Sequence, residues 1–127
     1  MMRIVTDLRA EWPRIRGYLE ALLNKTDYEW IPEDVYMECR LGRAAVFISE
    51  DGCLVTKLIR DEMFDETTLF VWAAFSTHGD AIAHYQPEVV KIAQSANAAK
   101  IQFTSSRRGM DKLPDWQQGD TIYEMRV

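Results

Sequence analysis

The chain has 127 residues, 47% of them hydrophobic and 28% charged. Those proportions belong to ordinary globular proteins and exclude a disordered, fibrous or disulfide-built chain. The formal net charge of −5 argues against nucleic acid or an anionic membrane surface as partner, since both select a basic face.

One domain spanning residues 1–127 is expected at this length. No apolar run approaches the ~20 residues of a membrane span. The opening residues Met1-Met2-Arg3-Ile4-Val5-Thr6-Asp7 lack the apolar core of a secretory leader, so a cytoplasmic location is expected. Cys39 and Cys53 form neither a C-x-x-C pair nor a motif with histidine and read as buried, reduced thiols. Residues 1–66 hold 14 acids and 9 bases, whereas residues 67–127 hold 6 of each; the excess, mostly between Asp27 and Glu66, reads as a solvated face.

Leu8, Trp12, Ile15, Leu19 and Leu22 share one helical face. Pro13 interrupts that pattern, and placing it at the first helical position predicts a helix from about Pro13 to Asn24, with a short turn before it. Ile31-Pro32-Glu33-Asp34 reads as a second helix start, with two acids against the helix dipole and Gly42 as the stop after Leu41. Residues 44–49 (AAVFIS) read as a strand, Glu50-Asp51-Gly52 as a hairpin turn, and Cys53 to Arg60 as the returning strand. After a polar connection, Thr68 to Phe75 (TLFVWAAF) is almost wholly apolar, the pattern of a central strand covered on both faces.

Ser76-Thr77-His78-Gly79-Asp80 leads into a helical pattern of Ile82, Val89, Ile92, Ala93 and Ala96. Pro87 predicts a kink or a restart within it, and Asn97 a left-handed end. Lys100 to Thr104 reads as a strand, Ser105 or Ser106 as the cap of a short helix reaching Leu113, and Thr121 to Val127 as a last strand. The order is α-α-β-β-β-α-β-α-β, an α+β fold with a mixed, mostly antiparallel twisted sheet flanked by helices.

That order resembles the GNAT superfamily, the Gcn5-related N-acetyltransferases, over nearly the whole chain. In that family the strand before the crossover helix ends in a Q/R-x-x-G-x-G/A loop whose backbone N–H groups cradle the pyrophosphate of acetyl-CoA. Here the segment is Ser76-Thr77-His78-Gly79-Asp80-Ala81. Gly79 and Ala81 match the pattern, and Ser76 stands in place of Gln or Arg. A glycine lets backbone approach a phosphate, and the first N–H groups of a helix have no internal partner. Asp80 opposes an anion there and equally serves as an ordinary helix cap. The resemblance implies a split between the central strand and the following strand, opening near Phe75 to Gly79, acetyl-CoA or another acyl-CoA held by Phe75, Ser76, Thr77, His78, Gly79, Asp80 and Ala81, and a small-molecule or protein amine as acceptor.

The family's general-acid tyrosine falls at Leu113 here, and no tyrosine lies between Tyr85 and Tyr123, so no catalytic residue is assigned. Tyr123, on the last strand, is the tyrosine left to reach in. Glu62, Asp65 and Glu66, ahead of the apolar strand, are weak candidates for the family's base. Arg107 and Arg108, with Lys112, fall where the family approaches the cofactor's 3′-phosphate and adenine end. The segments PEDVYMECRLGRAAVFISEDG and KIQFTSSRRGMDKL resemble small acyltransferase-fold proteins of tailed phages and prophages. That likeness implies the alternative of a catalytically silent virion, assembly or host-interaction component with phage structural proteins as partners.

His78 and His84 are six residues apart, not the i, i+4 spacing of a helical metal pair, so no metal site is expected. Ser105 and Ser106 lie in no G-x-S-x-G motif. Trp72 reads as core, and Trp30 and Trp116 as packing residues beside turns, with a partner anchor as the alternative.

Overall fold

Asp7, not Pro13, opens the first helix. In the computed structural model, which describes residues 2–24, 29–104, 117–119 and 122–127, the Asp7 carboxylate accepts the Ala10 N–H at 3.1 Å and helix α1 spans Leu8–Leu23. Pro13 lies inside it. The hydrogen bond it removes is offset by this cap and by packing: Ile15, Leu19 and Leu22 are buried, and Trp12 meets Tyr36 edge-on at 4.9 Å between ring centres. Helix α2, Pro32–Arg40, opens as its sequence predicts, with proline first and the Asp34 carboxylate accepting the Ile31 N–H at 2.9 Å.

A two-residue strand absent from the sequence reading, β1 (Arg3–Ile4), pairs antiparallel with β2 (Ala45–Ser49). Next come β3 (Gly52–Asp61) and β4 (Glu66–Ser76), a hairpin longer at its far end than the polar residues there predict. Cross-strand pairing carries Arg60, Asp61, Glu66 and Thr67 into the ladder, and Asp65, at φ 52°, closes the tip with its carboxylate on Arg60. Helix α3, Ala81–Ser95, continues through Pro87 without a restart; Tyr85 and Val89, one turn apart across the proline, and Ala93 are all buried and hold it in register. Asn97 takes the left-handed conformation expected of it, at φ 56°. Strand β5, Lys100–Thr104, matches its prediction. Strand β6, Gln117–Gly119, adds a hairpin partner to β7, Ile122–Arg126. The helix expected over 105–113 lies outside the described residues.

The strands form one sheet in the order β1-β2-β3-β4-β5-β7-β6. Among the described residues only β4 and β5 run parallel, joined by the α3 crossover, and the other pairs are antiparallel. The α+β class and mixed sheet read from the sequence are therefore observed. One face packs on α1 and α2 through Ile15, Leu19, Val35, Val46, Ile48, Cys53, Val55, Ala73 and Phe75. The other packs on α3 through Leu54, Leu69, Val71, Ile82, Tyr85, Val89, Ile101 and Phe103. Among the described residues no helix is long and apolar enough to cross a membrane.

β4 changes phase in the middle. Val55 pairs with Ala73 but the next residue, Thr56, pairs with Val71, so Trp72 is an extra residue, a β-bulge. Before it Leu69 and Val71 face α3; after it Ala73 and Phe75 face α1 and α2. Trp72 itself is half-buried, edge-on to Trp30 at 5.8 Å, with the Lys57 ammonium 4.3 Å from its ring centre.

Candidate functional site

The bulge marks the point where β4 leaves its parallel neighbour. β4 and β5 pair at Thr68–Lys100, Leu69–Ile101, Phe70–Gln102 and Val71–Phe103. From Trp72 to Ser76, β4 continues along β3, while its β5-facing edge has no strand partner among the described residues. Bulges bend the strand that carries them, and here the bent half runs directly into the turn before α3.

That turn is closed by its own backbone. The Thr77 N–H donates to the Asp51 carbonyl at 2.8 Å, and the Gly79 N–H to the Ser76 carbonyl at 3.1 Å. The His78 N–H donates to Ser76 Oγ at 3.0 Å. Gly79 has φ 97°, a conformation costly for any side-chain-bearing residue. Asp80 occupies the N-cap position, yet its carboxylate makes no capping bond, which corrects its reading as an ordinary cap. The N–H groups of Ala81, Ile82 and Ala83 have no acceptor among the described residues. Of the expected cradle, the His78 and Gly79 amides are spent within the turn and that of Thr77 on Asp51, and the donors without an acceptor among the described residues belong to the first turn of α3.

The side chains of the expected set divide. Phe75 is buried in the α1/α2 core, stacked on Tyr18 at 5.5 Å, so only its backbone faces the site. Ser76 is buried, Thr77, His78 and Asp80 are exposed, and Ala81 is buried. Arg107, Arg108, Ser105, Ser106, Leu113 and Trp116 lie outside the described residues. Glu66 and Asp65 sit at the opposite end of β4, roughly 30 Å along the strand from Ser76, paired with Arg126 at 2.8 Å and with Arg60. The hairpin order puts them there, and Glu62 shares that connection. Tyr123 is buried and stacked on Phe103 at 5.1 Å.

A cluster that sequence reading missed stands beside the turn. Asp51, in the β2–β3 turn, receives Tyr85 and Ser49. The Tyr85 hydroxyl donates to Asp51 Oδ1 at 2.7 Å, and Ser49 Oγ donates to the same oxygen at 2.6 Å. Asp51 Oδ2 faces His78 Nε2 at 3.0 Å and His84 Nε2 at 2.9 Å. The turn is anchored from α1: an Arg14 Nη donates to the Ser49 carbonyl at 2.6 Å and the Tyr18 hydroxyl to the Glu50 carbonyl at 3.3 Å. Asp51-Gly52 read only as a hairpin dipeptide, and the sequence reading assigns Tyr85 no role. The available signal was topological, because antiparallel β2, β3 and β4 must bring the β2–β3 turn to the end of β4 that leads into α3.

Hydrogen bonds from Ser49 and Tyr85, then His84, hold the Asp51 carboxyl well below the usual carboxylate range. Burial, first of all, pushes the Tyr85 hydroxyl up to about 12. A depressed carboxylate contributes stability that is fully present above its unfolded value, about 3.9, and is lost as pH falls toward the folded value. Urea midpoints measured across that acid range should therefore fall less steeply for Asp51→Asn than for the parent chain. Parallel slopes would remove Asp51 from the acid limb.

A separate apolar groove of about 830 Å³, lined by Ile4, Phe47, Leu58, Ile59, Leu69 and Ile92 among others, includes none of residues 75–81.

No family model matches the sequence, and no curated protein matches it. Solved structures do. A chain of the NatC complex, solved bound to Gag peptide and CoA, superposes with a TM-score of 0.73 at 8% identity, covering 100% of this chain and 98% of that one. A GNAT family acetyltransferase from Brucella melitensis, in complex with acetyl-CoA, gives 0.70 at 13% identity, covering 100% and 88%. A GNAT family acetyltransferase from Listeria monocytogenes gives 0.67 at 10% identity, covering 100% and 94%. With its single parallel pair, its crossover helix and a central strand that leaves its neighbour at a bulge, this chain has the fold of the GNAT acetyltransferases.

Proposed function

We propose that the chain binds acetyl-CoA or another acyl-CoA and transfers the acyl group to a primary amine on a small molecule or a protein. The carrying observation is one continuous path: the β5-facing edge of β4 beyond Val71, along which no described strand pairs, the Gly79 turn, and the N–H groups of Ala81, Ile82 and Ala83, which have no acceptor among the described residues. An extended chain with amides can add to a strand edge as a further strand does, which suits the pantetheine arm of CoA. A diphosphate suits the first turn of α3, where backbone N–H groups and the helix dipole favour an anion. The solved GNAT structures with CoA or acetyl-CoA support the same reading. Bound acyl-CoA would supply a thioester carbon for the amine to attack, with the CoA thiolate leaving. The chain's own part is to align the two and exclude water, a contribution of proximity. Among the described residues no tyrosine is placed as a general acid: Tyr123 is stacked in the core and Tyr85 is committed to Asp51.

One observation favours a second reading, a catalytically silent scaffold of the same fold with a virion, assembly or host-interaction role. The carboxylates of Asp51 and Asp80 stand at the end of α3 where a diphosphate would bind, and they repel it. Calorimetry of the purified chain with acetyl-CoA and with CoA separates the two. Micromolar binding, about 8 kcal/mol, supports the acyltransferase. No heat and no thermal shift at about 1 mM ligand, weaker than about 4 kcal/mol, leaves the scaffold.

A further inference from the structure

We propose that Asp51, His78 and His84 form a binding site for a divalent first-row transition ion, with zinc the ion that suits the donor set best. One carboxylate oxygen and two imidazole nitrogens, all within 4.8 Å of one another, make a three-ligand set of the kind that leaves a coordination position open to water. The two histidines do not meet as a helical pair. They converge because His78 stands in the turn before α3, His84 stands in the first turn of α3, and both Nε2 atoms aim at the same Oδ2, at 3.0 and 2.9 Å. Their rings are 5.0 Å apart between centres.

The support behind the carboxylate is already built. Asp51 Oδ1 is occupied by the Tyr85 and Ser49 hydroxyls, which fixes the group and leaves Oδ2 for the ion. Outer-shell hydrogen bonds of this kind orient ligands and tune affinity. The backbone is tied as well, since the Thr77 N–H bonds the Asp51 carbonyl at 2.8 Å and so locks the two ligand-bearing turns together. Access is open: the His78 side chain is 65% exposed and that of His84 41%, against 23% for Asp51. The dipole at the start of α3 disfavours a cation, and the negative charge of the Asp51 carboxylate that would bind the ion offsets it. The inference stands on side chains and not on the backbone donors assigned to acyl-CoA, so the two readings succeed or fail separately.

The test uses the full chain freed of any histidine tag. Zinc is titrated by calorimetry and cobalt by visible absorption, both without CoA. One equivalent is expected to bind with a Kd of about 10 μM or tighter, close to 7 kcal/mol, and cobalt should show the absorption bands of a nitrogen- and oxygen-ligated ion. His78→Ala, in an exposed turn, keeps the fold and should weaken binding at least tenfold, as should His84→Ala. Tyr85→Phe, which removes only the outer-shell support, should weaken it by roughly tenfold. Absence of binding at about 1 mM zinc, weaker than about 4 kcal/mol, overturns the proposal. So does binding that His78→Ala leaves unchanged in a variant with a parental melting curve.

Discussion

Gly52→Ala is expected to destabilise the chain by about 3 to 5 kcal/mol, lowering the melting temperature by about 10 to 20 °C at this length. A Cβ on Gly52 would fall inside the Phe75 carbonyl oxygen, 2.8 Å from the Phe75 carbonyl carbon and 2.7 Å from the Tyr85 hydroxyl. Two of these three atoms are backbone of the central strand, which cannot give way as a flexible side chain does. Relief requires β3 and β4 to separate where Gly52 pairs with Ser76, and that displaces Tyr85 from Asp51 as well. Gly17→Ala is the control. It lies on the exposed side of α1 with no atom within 4 Å of an added Cβ, and should gain about 0.5 to 1 kcal/mol. Thermal melts of the two variants should move in opposite directions; a Gly52→Ala melt within a few degrees of the parent would mean that the hairpin yields at no cost.

Gly79→Trp should reduce acetyl-CoA affinity by at least 100-fold, about 2.7 kcal/mol, while leaving a folded protein. An added Cβ at this position meets nothing within 4 Å, so the indole enters open space over the turn without displacing core atoms. The fold pays only the strain of a side chain at φ 97°, about 1 to 3 kcal/mol. Gly79→Ala separates the two effects, because it carries the same strain with little bulk. Calorimetry should show Gly79→Ala within about tenfold of the parent, or 1.4 kcal/mol, and Gly79→Trp without measurable binding. A Gly79→Trp protein that binds as the parent does places the ligand elsewhere and removes the turn from the proposed site.

The long helices and central strands were legible because their patterns are local. Proline followed by two acids marked α2, and Asp-Gly marked the β2–β3 turn. Pro13 misled for a physical reason: one missing hydrogen bond was weighed against a cap and a buried face that only tertiary structure supplies. β1 was invisible because two residues carry no periodicity and owe their strand form to β2. The turn before α3 was legible through Gly79, the glycine of the S-x-x-G-x-A spacing, which the structure places at φ 97°. Asp51, Ser49 and Tyr85 were not, because their proximity depends on which strand ends lie together. The same holds for His78 and His84. A spacing of six tests for two ligands on one helix, and it says nothing about a turn residue and a helix residue meeting over a carboxylate from another hairpin.

TLFVWAAF reads as apolar throughout because both faces of β4 are covered, one by α3 and the other by α1 and α2. The extra residue places Trp72 and Ala73 consecutively on the α1/α2 face, where a regular strand would alternate. This has a consequence for how the sequence can change. Substitutions beyond the bulge must respect both helix layers, since Ala74 packs on the α3 side and Ala73 and Phe75 on the α1/α2 side, but length can change at the junction itself. Deleting one residue at this junction would remove the bulge and restore uniform alternation, with Leu69 and Val71 still facing α3 and Ala73 and Phe75 still facing α1 and α2. It would also straighten the strand that diverges from β5. Loss of one residue should therefore be tolerated better at Trp72 than elsewhere in β4, where the same deletion turns the side chains beyond it to the opposite faces, and its cost should fall on the divergence from β5.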